Sequence, residues 1–363
     1  MRPLTASARS LKLPEVAGSY PITQTSPLPT ESASPMKLLR SMLSWCAAGA
    51  VAFASLGASA AHAEDINFGI ISTDSSSVLK QRWQPFIDDM NRQTGLHVTA
   101  FFATDYSGII EAMRFNKVQL GYFGNASAME AVDRSNGEIF AKVLYANGDA
   151  GYKSVLITNV NSRVKTLDDV FKNTKDLTLG WGDPNSTSGT LIPGYYLFAQ
   201  HGVSVNASAF KTVLPSSHEA NLLAVVNNKV DIATNNTIEL ATLQQKHPDR
   251  FAQVRVLWTS PLIPSDPLVW RKDLPEATKQ KLRDFFYHYA KTDPKEKKIM
   301  ADITGYAGFA PASDAQLLPI RQVALFQQKE KIAADTHLSD EDRKSQIAAI
   351  DAKIGALANA TKQ

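Results

Sequence analysis

Three consecutive hydroxyl residues, Ser186, Thr187 and Ser188, form the strongest chemical signal in the sequence. They lie in GDPNSTSG, residues 182–189, between a predicted strand and a predicted helix. A helix N-terminus offers unpaired backbone N–H groups and a positive dipole end of about half a charge, which together favour an anion. The segment lacks the Gly-Lys-Ser/Thr ending of a P-loop. It is therefore either an anion site without lysine or arginine, or a capped turn built from residues that are common in turns.

Two other predicted helix starts carry groups that suit an oxyanion. Tyr106 lies in DYSG, residues 105–108, and His218 lies in SSHE, residues 216–219. A phenol and an imidazole can each donate a hydrogen bond to an anion held at a helix N-terminus. Considered alone, each residue is better explained as a surface tyrosine or as a histidine that caps the helix.

A hydrolase is the alternative for these residues, with His218, Asp266 and a serine as a catalytic triad. The sequence has no Gly-x-Ser-x-Gly elbow, and it has no His-x-x-x-His pair or acidic cluster that would propose a metal. The case for an enzyme is therefore weak, and we expect no metal or other cofactor.

Strands and helices alternate along the chain. Strands are predicted at residues 65–72, 97–102, 118–123, 177–181 and 230–234, and helices at 79–94, 107–116, 190–201 and 220–228. This alternation predicts an α/β architecture with largely parallel sheets. A helix that ends in Asn-Lys-Val, a strand and a small polar cluster occur in this order twice, at residues 114–125 and 226–236. The repeat predicts two lobes of related construction.

Two segments are predicted to join the lobes. Residues 152–160 read as one crossing strand, and residues 258–270 as the return. The predicted domains are therefore a first part of lobe 1, lobe 2, the return to lobe 1 and a helical C-terminal tail, at 64–155, 156–258, 259–330 and 331–363. Because ligands of open α/β sheets bind beyond the carboxyl ends of the strands, we expect the polar turns of both lobes to face a hinged cleft.

The C-terminal tail has a helix pattern of its own. Ser339 and Asp342 resemble an N-cap and an acidic third position. An apolar stripe follows at three- and four-residue spacing, made by Ile347, Ile350, Ile354 and Leu357. The helix is expected to dock on its own domain, and self-association through the stripe is the alternative.

Composition and the N-terminal sequence limit the possible class of protein and its cellular compartment. The 363 residues include 44% hydrophobic and 20% charged residues, one cysteine and a net charge of +3, so nucleic acid is not an expected partner. Residues 36–63 have a positive start, an apolar run and an Ala-His-Ala ending, as in a cleaved signal peptide. Residues 1–35 read as a non-native extension of the start, with a long leader as the alternative. The mature chain would begin at Glu64 with 33 charges of each sign, which suits a bacterial periplasm.

Eight segments of the sequence together resemble the periplasmic phosphonate-binding proteins, the solute receptors of phosphonate ABC importers. In chain order they are NFGIIS, FFATDYSGIIEAMRFNKV, GNASAMEAVDRSNG, GDPNSTSG, PGYYLFA, the Ser217-His218-Glu219 turn, VDIATNNT and SPLIPSDPLVWRK. The resemblance runs from about Asn67 to about Phe326 and continues more loosely through the tail. It implies a type II periplasmic-binding-protein fold, in which two α/β lobes close on a ligand.

The resemblance also implies roles for individual residues. Those that would hold the phosphonate oxygens are Tyr106, Ser186, Thr187, Ser188 and His218. Tyr152 would line the cleft near the organic end of the ligand. Asp266, in the Pro-Leu-Ile-Pro-x-Asp-Pro segment, matches the acid that meets the ligand's amino group.

One position departs from the family pattern. After Asn235-Asn236-Thr237 the family has a glutamate that pairs with the amine, whereas this chain has Ile238, and Glu239 comes one place later. One residue is about 100° of rotation on a helix, so Glu239 is expected to point away from the cleft unless the helix start shifts. Ile238 would then favour a ligand without an amine, such as methylphosphonate or phosphite.

The protonation state of His218 follows from two opposing influences. A bound dianion favours the imidazolium, whereas the helix N-terminus opposes it. If His218 donates as a cation, binding weakens at alkaline pH; a neutral donor gives a flat profile from pH 6 to 9.

The expected function is that of an exported solute receptor that binds an alkyl- or aminoalkylphosphonate and delivers it to an inner-membrane ABC permease. Neutral hydroxyls and helix N-termini can hold a dianion and still release it, since no arginine clamp is involved. The alternatives are a receptor of the same fold for phosphite, phosphate or a sulfonate, and an exported hydrolase of phosphorus esters.

Overall fold

A computed structural model describes residues 65–360 of the chain. The predicted signal peptide and the predicted N-terminal extension lie outside the described residues. None of the described helices combines the length and the apolar character that crossing a membrane requires.

Short strands make up the sheets of the protein. In chain order they are β1 (Asp65–Ile70), β2 (His97–Phe102), β3 (Leu120–Tyr122), β4 (Gly137–Tyr145), β5 (Gly151–Tyr152), β6 (Ser154–Asn159), β7 (Thr178–Trp181), β8 (Thr212–Pro215), β9 (Ile232–Asn236), β10 (Val254–Thr259), β11 (Ile263–Pro264), β12 (Pro267–Arg271) and β13 (Tyr306–Pro311).

Helices connect and cover these strands. In chain order they are α1 (Ser76–Thr94), α2 (Tyr106–Arg114), α3 (Asn125–Arg134), α4 (Leu167–Lys172), α5 (His218–Val226), α6 (Thr237–Lys246), α7 (Pro248–Phe251), α8 (Glu276–His288), α9 (Pro294–Thr304), α10 (Leu318–Ala334) and α11 (Asp340–Ala360). Each predicted strand and helix between residues 65 and 123 and between 177 and 236 has a counterpart within a few residues of its predicted bounds, although the segment predicted at 190–201 has an unusual form described below.

The first lobe is a six-stranded sheet in the order β13-β4-β12-β3-β1-β2. Strand β1, next to the edge strand β2, pairs in parallel with β2 and β3. Aromatic side chains from β1, α1 and α8 fill the core on one face, and Phe86 contacts Phe68, Phe285 and Phe286 with ring centroids 5.3–6.5 Å apart. Edge-to-face and tilted ring contacts of this kind stabilise a core beyond the area that they bury.

The second lobe is a five-stranded sheet in the order β10-β6-β9-β7-β8. Strands β8, β7 and β9 are parallel, whereas β6 and β10 are antiparallel to their neighbours. In the first lobe β12, β4 and β13 also pair antiparallel. The prediction of largely parallel sheets is therefore wrong, because the strands that enter each lobe after a crossing run against those of its β-α-β units.

The two lobes are joined by a pair of extended crossings. The predicted single strand at residues 152–160 is divided in two, because β5 ends at Tyr152 and β6 begins at Ser154. β5 pairs with β11 in a separate two-stranded sheet, with Tyr152 opposite Ile263 and Gly151 opposite Pro264. This small sheet lies between the two larger ones along both crossings of the chain.

The C-terminal helices pack along the first lobe. Ser339 caps α11 as predicted, since its Oγ accepts a hydrogen bond of 3.1 Å from the N–H of Asp342. In the predicted stripe Ile350 is buried and the other three members are half-buried, and α11 packs on α10. The structure thus has the stripe docked on its own chain, and self-association stays a prediction.

Helix α10 also reaches the second lobe. Ile320 and Val323, in its first half, belong to the core of the first lobe. Further along, Phe326 stacks on Tyr195 of the second lobe with ring centroids 5.8 Å apart and planes 14° apart. One helix therefore contacts both lobes.

The close pairing of β5 with β11 gives a prediction for stability. A Cβ added at Gly151 would collide with the carbonyl oxygen of Ile263, which is backbone and cannot turn aside. We expect Gly151→Ala to lower the free energy of unfolding by about 1–3 kcal/mol, as overpacking does. Thermal melting measures the effect. Gly355→Ala is the matched control, because a Cβ there meets nothing within 4 Å and alanine favours a helix; equal melting temperatures for wild type and Gly151→Ala would contradict the prediction.

Candidate functional site

A small cavity of about 40 Å³ lies between the two lobes. Every site residue predicted from the sequence contributes to its wall: Tyr106, Tyr152, Ser186, Thr187, Ser188, His218, Ile238, Glu239 and Asp266. The wall also contains residues that the sequence analysis did not single out: Ile71, Tyr122, Gly124, Asn236, Thr304 and Tyr306. The structure therefore brings the predicted residues together at one place.

The hydroxyl turn, residues 186–188, lies where β7 passes into a helical segment. Ser186 is the N-cap, and its Oγ accepts a hydrogen bond of 3.0 Å from the N–H of Gly189. The first turns are π-helical, since the N–H of Leu191 bonds to the carbonyl of Ser186, five residues earlier. The predicted helix at 190–201 thus begins earlier, at Thr187, and with a wider turn. Such π-turns are frequent at functional sites.

Side chains from two neighbouring strands hold this turn through its carbonyl groups. Ser154 of β6 donates from its Oγ to the carbonyl of Ser188 at 2.6 Å. Thr234 of β9 donates from its Oγ1 to the carbonyl of Gly189 at 2.7 Å. All four groups are buried, so each bond satisfies a polar atom that has no access to water. The carbonyls of the turn are therefore occupied, and its hydroxyl groups remain to face the cavity.

His218 is the first residue of α5 and lies beside the hydroxyl turn. Its Nε2 is 3.4 Å from the Oγ atoms of both Ser186 and Ser188. Its Nδ1 is buried and meets no hydrogen-bond partner among the described residues. Burial lowers the pKa of His218 to about 4, so the ring is neutral near pH 7. Of the two predicted protonation states, the neutral one is therefore favoured in the ligand-free protein.

The triad that a hydrolase would need is not assembled among the described residues. Asp266 does not bond to His218; its Oδ1 accepts from the Tyr152 hydroxyl and its Oδ2 from the Tyr122 hydroxyl, both at 2.9 Å. Without a carboxylate on Nδ1, the imidazole has no group to orient it as a base for serine. The described residues also contain no group of three or more histidine, cysteine or acidic side chains that could hold a metal ion.

Tyr106 approaches from the first lobe, at the N-terminus of α2. Its backbone N–H donates to Oδ2 of Asp183 in the second lobe at 3.1 Å, and its side chain is buried. Burial, together with the nearby carboxylates of Asp183 and Asp266, raises the pKa of the phenol well above its usual range. Tyr106 is therefore a neutral hydrogen-bond donor at any physiological pH.

A network of phenols surrounds Asp266 on the opposite side of the cavity. Beyond the two tyrosines bonded to its carboxylate, the hydroxyl of Tyr306 lies 2.6 Å from that of Tyr122. Burial raises the pKa of Asp266 to about 7, although the tyrosine hydrogen bonds lower it. Tyr122 and Tyr306 were missed because both lie in strands, where a tyrosine is usually interpreted as part of the hydrophobic core. No motif in the sequence marks either residue as functional.

Both Ile238 and Glu239 lie in the first turn of α6 and line the cavity. The helix begins at Thr237, and the Asn236 side chain caps it by accepting from the N–H of Glu239 at 2.9 Å. The expectation that Glu239 points away from the cleft is therefore wrong. Burial, together with the carboxylate of Asp74, raises the pKa of Glu239 to about 8.

Hydrogen bonds between the lobes close the cleft around the cavity. The N–H of Ala126 donates to the Oγ1 of Thr187 at 2.8 Å, and the N–H of Ser75 donates to Oε2 of Glu219 at 2.8 Å. The contact from Tyr106 to Asp183 is a third of the same kind. In each of these three, a backbone N–H near the start of a helix of the first lobe donates to a side-chain oxygen of the second lobe, so helix N-termini supply several of the contacts between the lobes.

Known proteins share both the sequence and the fold. Residues 68–317 match the family model described as ABC transporter, phosphonate, periplasmic substrate-binding protein. The phosphonates-binding periplasmic protein of Escherichia coli K12 is 50% identical over 303 residues, which cover 82% of this chain and 88% of that protein. The crystal structure of a binding protein component of an ABC phosphonate transporter from Pseudomonas aeruginosa has a TM-score of 0.79 at 49% identity, covering 82% of this chain and 98% of that chain. A protein of Prochlorococcus marinus, solved with methylphosphonate, shares the fold at 22% identity and a TM-score of 0.64, covering 73% and 98% of the two chains.

The raised pKa of Asp266 gives a prediction for the ligand-free protein. The pKa of this carboxyl is higher in the folded chain, at about 7, than its ordinary value of 3.8, so protonation favours the folded state. That contribution is complete at low pH and is lost as the pH rises through 7. We expect Asp266→Asn to gain stability relative to wild type by a few degrees in melting temperature between pH 5 and pH 9. The exposed Asp249→Asn is the control, and an unchanged difference between the two pH values would contradict the assignment.

Proposed function

The chain belongs to the periplasmic substrate-binding proteins of phosphonate ABC transporters, and we propose that the hydroxyl turn, Tyr106 and His218 form the cage for the phosphonate oxygens. The observation that carries this proposal is the meeting of three helix N-termini and their hydroxyl, phenol and imidazole groups at one cavity. All of these side chains are buried. Hydrogen bonds to an ion in such a place are stronger than neutral ones, since water does not compete.

The cage has no formal positive charge. No lysine or arginine among residues 65–360 lines the cavity, and the pKa of His218 keeps its ring neutral. Helix dipoles and hydroxyl groups supply the attraction instead. This suits a receptor, because a ligand held without an arginine clamp can leave when the lobes separate in front of the permease.

The opposite wall supports an aminated ligand as well as a simple alkylphosphonate. Asp266 and Glu239 are both buried, and burial raises the pKa of each carboxyl. A ligand ammonium group beside them would favour their ionised forms. Glu239, one residue later on the helix, would then take the role of the family's glutamate, which Ile238 replaces in this chain. We therefore propose that the protein binds 2-aminoethylphosphonate in addition to methylphosphonate.

The compartment and the partner follow from the family. We propose that residues 36–63 direct export and are cleaved, and that the mature receptor works in the periplasm with an inner-membrane ABC permease. The lobes would open about the β5–β11 sheet to admit the ligand. A ligand that bridges the lobes favours the closed state only by its differential affinity for it, and the closed shape is what the permease would read.

Phosphite is a second candidate ligand, and the size of the cavity favours it. A cavity of about 40 Å³ accommodates roughly three water-sized groups. An oxyanion without an organic substituent needs the least widening of this wall.

Removing one hydroxyl from the cage tests the anion end. We expect Ser188→Ala to weaken methylphosphonate binding about 10- to 100-fold, since a hydrogen bond to a charged group contributes about 1.5–3 kcal/mol. Calorimetric titration of residues 64–363 measures the dissociation constant. Ser204→Ala, at an exposed serine outside the cavity, is the control. An affinity within two-fold of wild type for Ser188→Ala would remove this residue from the cage.

The ionisation of the opposite wall gives a pH dependence. Asp266 and Glu239, with pKa values of about 7 and 8, lose their protons between pH 6 and pH 9, whereas His218 stays neutral throughout. Ionised carboxylates attract an ammonium group and repel an anion. We therefore expect the affinity for 2-aminoethylphosphonate, divided by that for methylphosphonate, to rise with pH and to rise less in Asp266→Asn.

Titrations with both phosphonates and with phosphite at pH 6 and pH 9 measure this ratio. A ratio that is constant with pH would assign the organic end to other residues. Binding of phosphite alone would replace the phosphonate by the second candidate.

A further inference from the structure

A second concavity adjoins the cavity on the side of the crossings. It has a volume of about 400 Å³, and we call it the hinge groove; its wall includes Tyr145, Ile238, Ala241, Leu262 and Thr304. Tyr152, Ile238 and Thr304 line both the cavity and the groove. These three side chains are therefore a partition one residue thick between the two spaces.

The partition differs in strength from the rest of the cavity wall. Tyr152 is tied to Asp266 by a hydrogen bond, as Tyr122 is on the far side. Ile238, by contrast, is only half-buried and lies in the first turn of α6. The side chain of Ile238 has no polar group, so displacing it breaks no hydrogen bond, whereas the Thr304 hydroxyl lies 3.0 Å from that of Thr242. Where the wall must yield to a ligand, it therefore yields at Ile238, toward the groove.

The lining of the groove is mainly apolar. Ala241 lies on α6 close after Ile238, and Leu262 lies in the turn before β11 with 54% of its surface exposed. Charged side chains are placed at the rim of the groove, where Asp149 and Lys153 are exposed. An apolar floor with a charged rim fits an alkyl chain.

The volumes of the cavity and the groove indicate which part of a ligand each could hold. A cavity with room for about three water-sized groups holds a phosphono group and little more, so a chain of several carbons requires adjoining space. The groove supplies about ten times the volume of the cavity, directly behind the partition. Three other concavities around the described residues, of about 600, 300 and 610 Å³, share no lining residue with the cavity.

We propose that the hinge groove is a second subsite, which receives the alkyl chain of a phosphonate whose phosphono group lies in the cage. The ligand class is that of alkylphosphonates with about four to six carbons, with the chain passing between Ile238 and Thr304. This subsite rests on the proposed function, because the cage has to hold the anionic end. Ile238, where the family pattern has a glutamate, makes the passage apolar.

Calorimetric titration of residues 64–363 with methylphosphonate and hexylphosphonate tests the subsite. We expect wild type to bind hexylphosphonate at least as tightly as methylphosphonate. Ala241→Trp fills the groove from an exposed position that does not line the cavity, and it should weaken hexylphosphonate at least ten-fold while changing methylphosphonate less than two-fold. Leu262→Ser should weaken hexylphosphonate alone by a few-fold. Ala277→Trp, at an exposed alanine of α8 away from the groove, is the control and should change neither.

The outcomes separate the subsite from the proposed function. Binding of methylphosphonate without hexylphosphonate overturns the subsite and leaves the proposed function in place. Binding of both ligands with no effect of Ala241→Trp or Leu262→Ser also overturns it, since the chain would then lie elsewhere. If neither ligand binds, the proposed function fails and the subsite fails with it. Melting temperatures of the variants show whether each is folded.

Discussion

The close approach of two glycines, Gly182 and Gly189, shapes the site more than any single side-chain contact. A Cβ on either residue would overlap the backbone of the other, so only glycine allows the end of β7 to lie against the segment that follows. This approach leaves little length for the loop between them, and the chain responds with the wide π-helical turn at Thr187. The hydroxyl groups of that turn then meet the N-termini of α2 and α5. The polar character of the cavity depends on this backbone packing.

The two sides of the cavity use burial in opposite ways. On the cage side, burial lowers the pKa of His218 and raises that of Tyr106, and both effects leave a neutral hydrogen-bond donor. On the other side, burial raises the pKa of Asp266 and Glu239 and leaves carboxyl groups that hold protons near neutral pH. The ligand-free protein therefore buries few full charges at its centre. Because burying an unpaired charge is costly, this arrangement reconciles a polar cavity with a stable fold.

The sequence predicted the chemistry of the site better than its detailed geometry. The hydroxyl turn was predictable because turn and cap residues follow a strand in sequence, and local signals suffice there. Tyr122 was not, because its partner Asp266 is 144 residues away and a strand tyrosine has no local signal for function. The position of Glu239 was predicted wrongly. Ile238 and Glu239 differ in direction by about 100° on the helix, but both can line the same closed cavity because both lie in the first turn. The break at Lys153 was missed because residues 152–160 contain no glycine or proline to mark it, and only pairing with two different partners divides them.

The stacking of Phe326 on Tyr195 bears on the resting population of the receptor. Besides the chain crossings at β5 and β11 and the hydrogen bonds between the lobes, α10 links the lobes through this stacking contact. An aromatic pair contributes about 0.5–1.5 kcal/mol, so an open form that lacked this contact would be disfavoured by up to roughly ten-fold. A ligand then needs a smaller difference in affinity between the closed and the open state to complete closure, because the stacking contact already favours the closed state. The same contact would raise the fraction of ligand-free receptor that has the closed shape. Such receptor would meet the permease without a ligand to deliver.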